Sequence, residues 1–255
     1  MQTNLSFDTA HVLLLSAVTG IFLLAGFVKG VVGLGLPTVA VGLLGLFMPP
    51  QQAAALLIVP SLATNLWQLL AGGRFVWLLR RLWLMLAGIV AGTLLGANFM
   101  AADSVGHATI ALGMALIAYA LLGLAAARFS VSAGKEKYLS PVIGLTTGLI
   151  TAATAVFVIP AVPYLQALNL EKDELIQALG LSFTVSTIAM AAGLAQGGAL
   201  HMEGAAISLI ALLPALGGMF VGQWLRAKIS AVLFRRCFFV GLLLLGLHLS
   251  SHLWR

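Results

Sequence analysis

Residues 26–37 read GFVKGVVGLGLP. They follow an apolar run, Val12 to Ala25, and interrupt it with Lys29, with Gly26, Gly30, Gly33 and Gly35, and with Pro37. Glycine and proline at this density break a helix. A break at membrane depth survives only where it is buried in protein or lines a cavity, because unpaired peptide groups in lipid cost several kcal/mol. The stretch therefore separates a plain bundle of spanning helices from a fold built around interrupted ones.

The rest of the chain establishes that a membrane is involved. Its 255 residues are 61% hydrophobic and only 8% charged, with mean hydropathy +1.10. Apolar runs of about 15 to 25 residues recur from His11 onward, the length a helix needs to cross the hydrocarbon core. No segments of alternating apolar and polar residues occur, which excludes a β-barrel. The chain reads as an all-α polytopic membrane protein. Its N-terminus, MQTNLSFDTAH, lacks the basic region of a cleavable signal, so the first run is expected to stay in the mature protein. A single cysteine, Cys237, excludes an intrachain disulfide and a cysteine metal cluster. The net charge of +6 reports topology here, not a nucleic-acid partner.

The chain reads as two halves. The polar stretch ARFSVSAGKEKYLSP, Ala127 to Pro141, divides it, giving a first repeat over 1–128, a cytoplasmic linker over 129–139 and a second repeat over 140–255. GFVKGVVGLG from Gly26 pairs with GLTTGLITAA from Gly144, which sets Lys29 against Thr147. Gly72-Gly73 pairs with Gly197-Gly198, and GTLLGANF from Gly92 pairs with GMFVGQWL from Gly218. Order and spacing agree over about a hundred residues, as in transporters built from repeats.

Charge then sets the orientation of the halves. After the paired glycines the first half carries Arg74, Arg80 and Arg81, and the second only His201 and Glu203. One loop later the bias reverses, with Asp103 and His107 against Arg226, Lys228, Arg235 and Arg236. Equivalent loops of opposite charge belong on opposite sides of a membrane, so the repeats are inverted. Ten apolar segments follow, at 11–28, 34–48, 53–71, 78–100, 107–127, 139–151, 155–168, 175–195, 204–225 and 233–253. Ten crossings, with both termini outside, leave Arg255 as the single basic residue away from the cytoplasmic face. Segments 139–151 and 155–168 are short of a ~30 Å core, so a short broken or re-entrant hairpin is expected in each half.

The paired motifs, Gly26, Gly30, Gly33 and Gly35 with Gly144 and Gly148, each opening a repeat of like length, resemble the TauE/SafE sulfite and sulfonate exporter family from about Ala10 to Gly246. The chain departs from the usual second glycine cluster at Thr151, Ala153 and Thr154. The resemblance implies a secondary transporter of small sulfur-containing anions such as sulfite, thiosulfate or organosulfonates, in the manner of toluene-sulfonate permeases. It implies a multi-pass protein of the bacterial inner membrane, working in export, with a small anionic substrate and the lipid bilayer as partners, no cofactor and no nucleic acid. A homodimer is left open.

The residues themselves favour an anion. All seven acidic side chains, Asp8, Asp103, Glu136, Glu171, Asp173, Glu174 and Glu203, fall in termini, loops or the linker. No carboxylate is left in the segments for a cation site or a proton path. Helix N-termini made by a break would offer N–H groups and the positive end of the dipole; the expected donors are the backbone at Gly33 and Gly35 and at Thr151 and Thr154. Hydroxyl and amide groups follow on Ser61, Thr64, Asn65 and Gln68, and on Ser182, Thr184, Ser186 and Thr187. Of these, Thr64, Asn65, Ser182 and Ser186 complete the candidate substrate site, with Asn65 and Ser186 at matching places. Lys29 has two readings: it snorkels to the cytoplasmic interface as a topological charge, or it lines the pathway and holds the anion. Asn98 and Gln223 read as interfacial, and Gly88, Gly92 and Gly96 with Gly218 and Gly222 as helix-packing rows. The five histidines have no metal-binding spacing. An intramembrane enzyme would need a catalytic dyad or metal ligands at depth, and a non-transporting scaffold would leave polar-lined breaks in both halves without a purpose.

Overall fold

The computed structural model describes residues 2–97, 107–125, 130–200, 202–226, 228 and 230–251. Ten helices run through them: α1 (Gln2–Val32), α2 (Leu36–Leu44), α3 (Pro50–Leu70), α4 (Phe75–Leu95), α5 (His107–Ala125), α6 (Ala133–Thr154), α7 (Ala161–Ala167), α8 (Lys172–Gln196), α9 (Met202–Leu225) and α10 (Ala231–Ser250). Seven of them, all except α2, α6 and α7, are both long and apolar enough to cross a membrane. The chain is a polytopic α-helical membrane protein.

Glycine rows decide which helices meet. On α1, a Cβ at Gly26 would lie 2.0 Å from the Ala215 carbonyl oxygen, and one at Gly30 would lie 2.2 Å from that of Met219, both on α9. Across the same crossing, Gly218 and Gly222 face the carbonyls of Leu23 and Phe27. The second half repeats this in detail: Gly144 and Gly148 on α6 face Met85 and Ile89 on α4, and Gly88 and Gly92 face Pro141 and Leu145. Only glycine lets two backbones approach this closely. The two crossings are equivalent, α1 on α9 and α6 on α4, so each repeat lends its first helix to the other's fourth. They also correct the expected alignment by one turn: Gly88 matches Gly218 and Gly92 matches Gly222, because four residues shift the row without changing its face.

Contacts fix the directions. Helices α1, α3 and α9 run parallel, since Leu56 and Val59 meet Ser208 while Trp67 meets Phe220. Helices α4, α6 and α8 run parallel to one another and opposite to the first set, because Leu69 near the end of α3 meets Gln177 near the start of α8. The first helix of one repeat is thus antiparallel to the first helix of the other, as the charge reversal predicts. The ends that gather Lys29, Arg74, Arg80, Arg81, Lys135, Lys137, Lys172, Arg226, Lys228, Arg235 and Arg236 lie together, and this end is called the basic end below. Arg128, Arg255, Asn98, Asp103 and His201 lie outside the described residues.

One expected feature differs. The segment 139–151 was expected to be short, but α6 has 22 residues because it starts at Ala133, inside the expected linker. Arg81 holds its polar first turn, donating to both carboxylate oxygens of Glu136 at 2.8 and 2.9 Å. Among the described helices, the second of each half is short, nine residues in α2 and seven in α7. Large apolar side chains such as Leu13, Leu70, Leu95, Leu213 and Leu244 stay exposed on the outer surface, which is the face a bilayer covers.

Candidate functional site

The interrupted stretch quoted above ends α1 and turns the chain back. Gly33 and Gly35 have φ of 81° and 102°, the left-handed region that glycine adopts without strain. Through this turn α2 climbs back beside α1, so that Phe47 and Met48 line one cavity with Leu13 and Leu14 near the other end. The turn leaves the Gly33 carbonyl turned toward α3, where Gln68 Nε2 donates to it at 3.2 Å.

Lys29 does not snorkel. It is 4% exposed, and its Nζ donates to Oδ1 of Asn65 on α3. Asn65 Nδ2 in turn donates to Thr187 Oγ1 on α8 at 3.5 Å, and the Thr187 hydroxyl donates to the Phe183 carbonyl at 2.7 Å. The order follows from the last link. With its proton committed to Phe183, the Thr187 oxygen accepts, the Asn65 amide turns its NH2 toward it, and Oδ1 is left for the ammonium. The chain joins the two repeats where α3 and α8 cross. Among the described residues the ion pairs are Arg74–Glu174 and Arg81–Glu136, and Lys29 has no carboxylate.

A cavity of about 190 Å³ opens beside this cluster, lined by Lys29, Gly33, Thr64, Gln68, Gln223 and Arg226 among others. Arg226 ends α9 at the basic end, so the cavity leads from there to Lys29. Gln223, expected to be interfacial, lines it.

The other candidate groups divide into free and committed. Ser182 and Ser186 on α8 and Ser61 on α3 are buried with no hydrogen-bond partner. Ser182 and Ser186 are one helical turn apart, and Ser186 adjoins Thr187. Gln68 Oε1 and Thr38 Oγ1 are likewise buried and unpaired. By contrast, Thr64 donates to the Pro60 carbonyl, Thr151 to Thr147 and Thr154 to Ile150, each four residues back. Thr151 and Thr154 also lie in the last turn of α6, not at a helix N-terminus as expected. That end presents carbonyls and the negative end of the dipole, which disfavours an anion. The reason is the missing glycine: Ala155 ends the helix with φ 56°, a turn further along than Gly33 does in α1. The Gly33 N–H is committed to the Lys29 carbonyl at 2.7 Å. Gly35 caps α2 at its start. Thr147, the counterpart of Lys29, is buried and donates to Ile143, so the second half has no charge to match.

Gln177, inconspicuous in the sequence, has a structural part. Its Nε2 donates to Leu69 and Gly72 carbonyls and its Oε1 accepts from the Arg74 N–H, which closes the end of α3 onto α8.

No curated protein and no solved structure matches the chain. The family model for the sulfite exporter TauE/SafE matches residues 18–249, nearly the whole chain and both repeats. The chain belongs to the sulfite exporter TauE/SafE family of membrane transporters.

Proposed function

We propose that this protein is a secondary transporter that carries a small sulfur-containing anion, sulfite, thiosulfate or an organosulfonate, out of a bacterial cytoplasm across the inner membrane. The observation that carries the reading is the Lys29 ammonium, buried at the crossing of the repeats with neutral partners only. A buried cation without a counter-charge is costly, and a bound anion supplies one. Ser61, Ser182 and Ser186 offer hydroxyls that have no partner without a ligand, and hydrogen bonds to a charged oxygen are the strong kind. The basic end is then cytoplasmic by the positive-inside rule, and the cavity beside Arg226 is the cytoplasmic approach. Family membership favours the sulfur class over phosphate or carboxylate.

The test is counterflow of radiolabelled sulfite, thiosulfate and methanesulfonate in proteoliposomes holding the purified protein. At least one label should exchange well above protein-free liposomes, and unlabelled phosphate should not compete. Exchange of none of the three would overturn the reading.

A further inference from the structure

Transport requires an empty carrier to return, and the surroundings of Lys29 constrain how it does so. From α3 the groups facing Lys29 are Thr64, Asn65 and Gln68, and from α8 Thr187 acts through Asn65. From α9 they are Gln223 and Arg226. Helix α2 has no titratable side chain. Helix α10 meets α1 through Phe234 on Phe27, and its Arg235 lines a neighbouring cavity with Val31, Val32 and Arg226. Every charged group in this environment is a cation. When the anion leaves, no group among the described residues replaces its charge.

We propose that Lys29 couples the anion to a proton: it binds the anion as an ammonium and crosses back, empty, as a neutral amine. This rests on the anion-transporter reading above and adds its coupling. The loaded carrier holds the anion against the Lys29 ammonium, and the pair is neutral for a monoanion. After release, the ammonium gives one proton to water on the side to which the anion left. The amine lone pair then lies among neutral hydrogen-bonding groups, and the carrier reorients without dragging an unpaired charge through the protein. On the other side the amine takes up one proton before the next anion binds. One anion and one proton move in the same direction per cycle. The anion gradient and the proton gradient together set that direction. Lysine suits the task because it deprotonates when buried, whereas arginine does not.

The experiment uses full-length protein in proteoliposomes with a trapped pH dye, and methanesulfonate, whose charge is fixed across the working range. Two modes are compared: counterflow, with anion on both sides, which needs no empty return, and net flux down an anion gradient, which does. Wild type should show both, and net influx should acidify the lumen by one proton per anion. Lys29→Arg, which keeps its charge, should lower net flux at least tenfold more than it lowers counterflow. Net flux of the wild type with no change in lumenal pH would overturn the coupling, as would Lys29→Arg with net flux equal to wild type. Should Lys29→Arg fail to fold, the wild-type proton count still decides. Absence of counterflow in wild type is a different failure, that of the anion-transporter reading itself.

Discussion

Substituting alanine at Gly218 tests the account of how the repeats lock together. Its Cβ would lie 2.0 Å from the Leu23 carbonyl oxygen and 2.8 Å from the Phe27 nitrogen. Both are backbone atoms of α1, so no side chain can swing aside. Ordinary van der Waals contact begins at 3.4 Å, and α1 and α9 must part by about 1.4 Å to restore it, which forfeits much of the dispersion along the crossing. Overpacking of this kind costs about 3 kcal/mol. Gly217, its neighbour, provides the control. It is exposed in the same helix with nothing within 4 Å of an added Cβ. Alanine there gains up to about 1 kcal/mol of helix propensity. Thermal unfolding of both variants in one detergent, followed by loss of the monodisperse peak on size exclusion, should place Gly218→Ala on the order of 10 °C below Gly217→Ala. Equal midpoints would refute the interlocked crossing, and with it the repeat exchange that puts Lys29 beside α3.

Three further expectations follow from the same geometry. In a Cys237→Ala background, cysteines at Gly73 and Ala199 should label from opposite sides with a membrane-impermeant thiol reagent; labelling from one side would end the inverted-repeat reading. Asn65→Ala and Ser186→Ala should each lower transport efficiency about tenfold with normal folded yield, because each removes a group proposed to bind the substrate. Thr154→Val should stay within about twofold, since its hydroxyl is committed within α6; equal losses in all three, measured as initial rates of counterflow, would refute the division into free and committed hydroxyls. Gln177→Ala should cost about 2 kcal/mol by stranding the Leu69 and Gly72 carbonyls, while leaving the apparent substrate constant of the surviving protein unchanged.

Much of this architecture is legible in the sequence, because glycine spacing and charge sign are one-dimensional signals of helix crossing and membrane side. Each of the ten apolar segments overlaps one of the ten helices, and 155–168 and 34–48 contain the two short ones. The full length of α6 is not legible, since its first turn is polar and is held by Arg81, 55 residues away in the chain. The site was legible in part. Asn65 stands out as an amide in an apolar segment, and Lys29 as a charge in a break. Their direct bond does not stand out, because it depends on how far Gly33 turns the chain before α3 returns. The fate of each hydroxyl was hidden too: Thr154 and Ser186 look alike in sequence, and only backbone geometry shows that one is committed to its own helix.

In the proposed site the Lys29 ammonium holds the substrate's negative charge. The most direct measurement is the apparent constant for thiosulfate, a dianion, and for methanesulfonate, a monoanion, in counterflow by wild type and by Lys29→Gln. The constant for methanesulfonate should be at least tenfold higher in the variant, with a still larger rise for thiosulfate, because the lost Coulomb attraction grows with the charge on the ligand. Constants unchanged for both anions, with normal expression and folding, would contradict it.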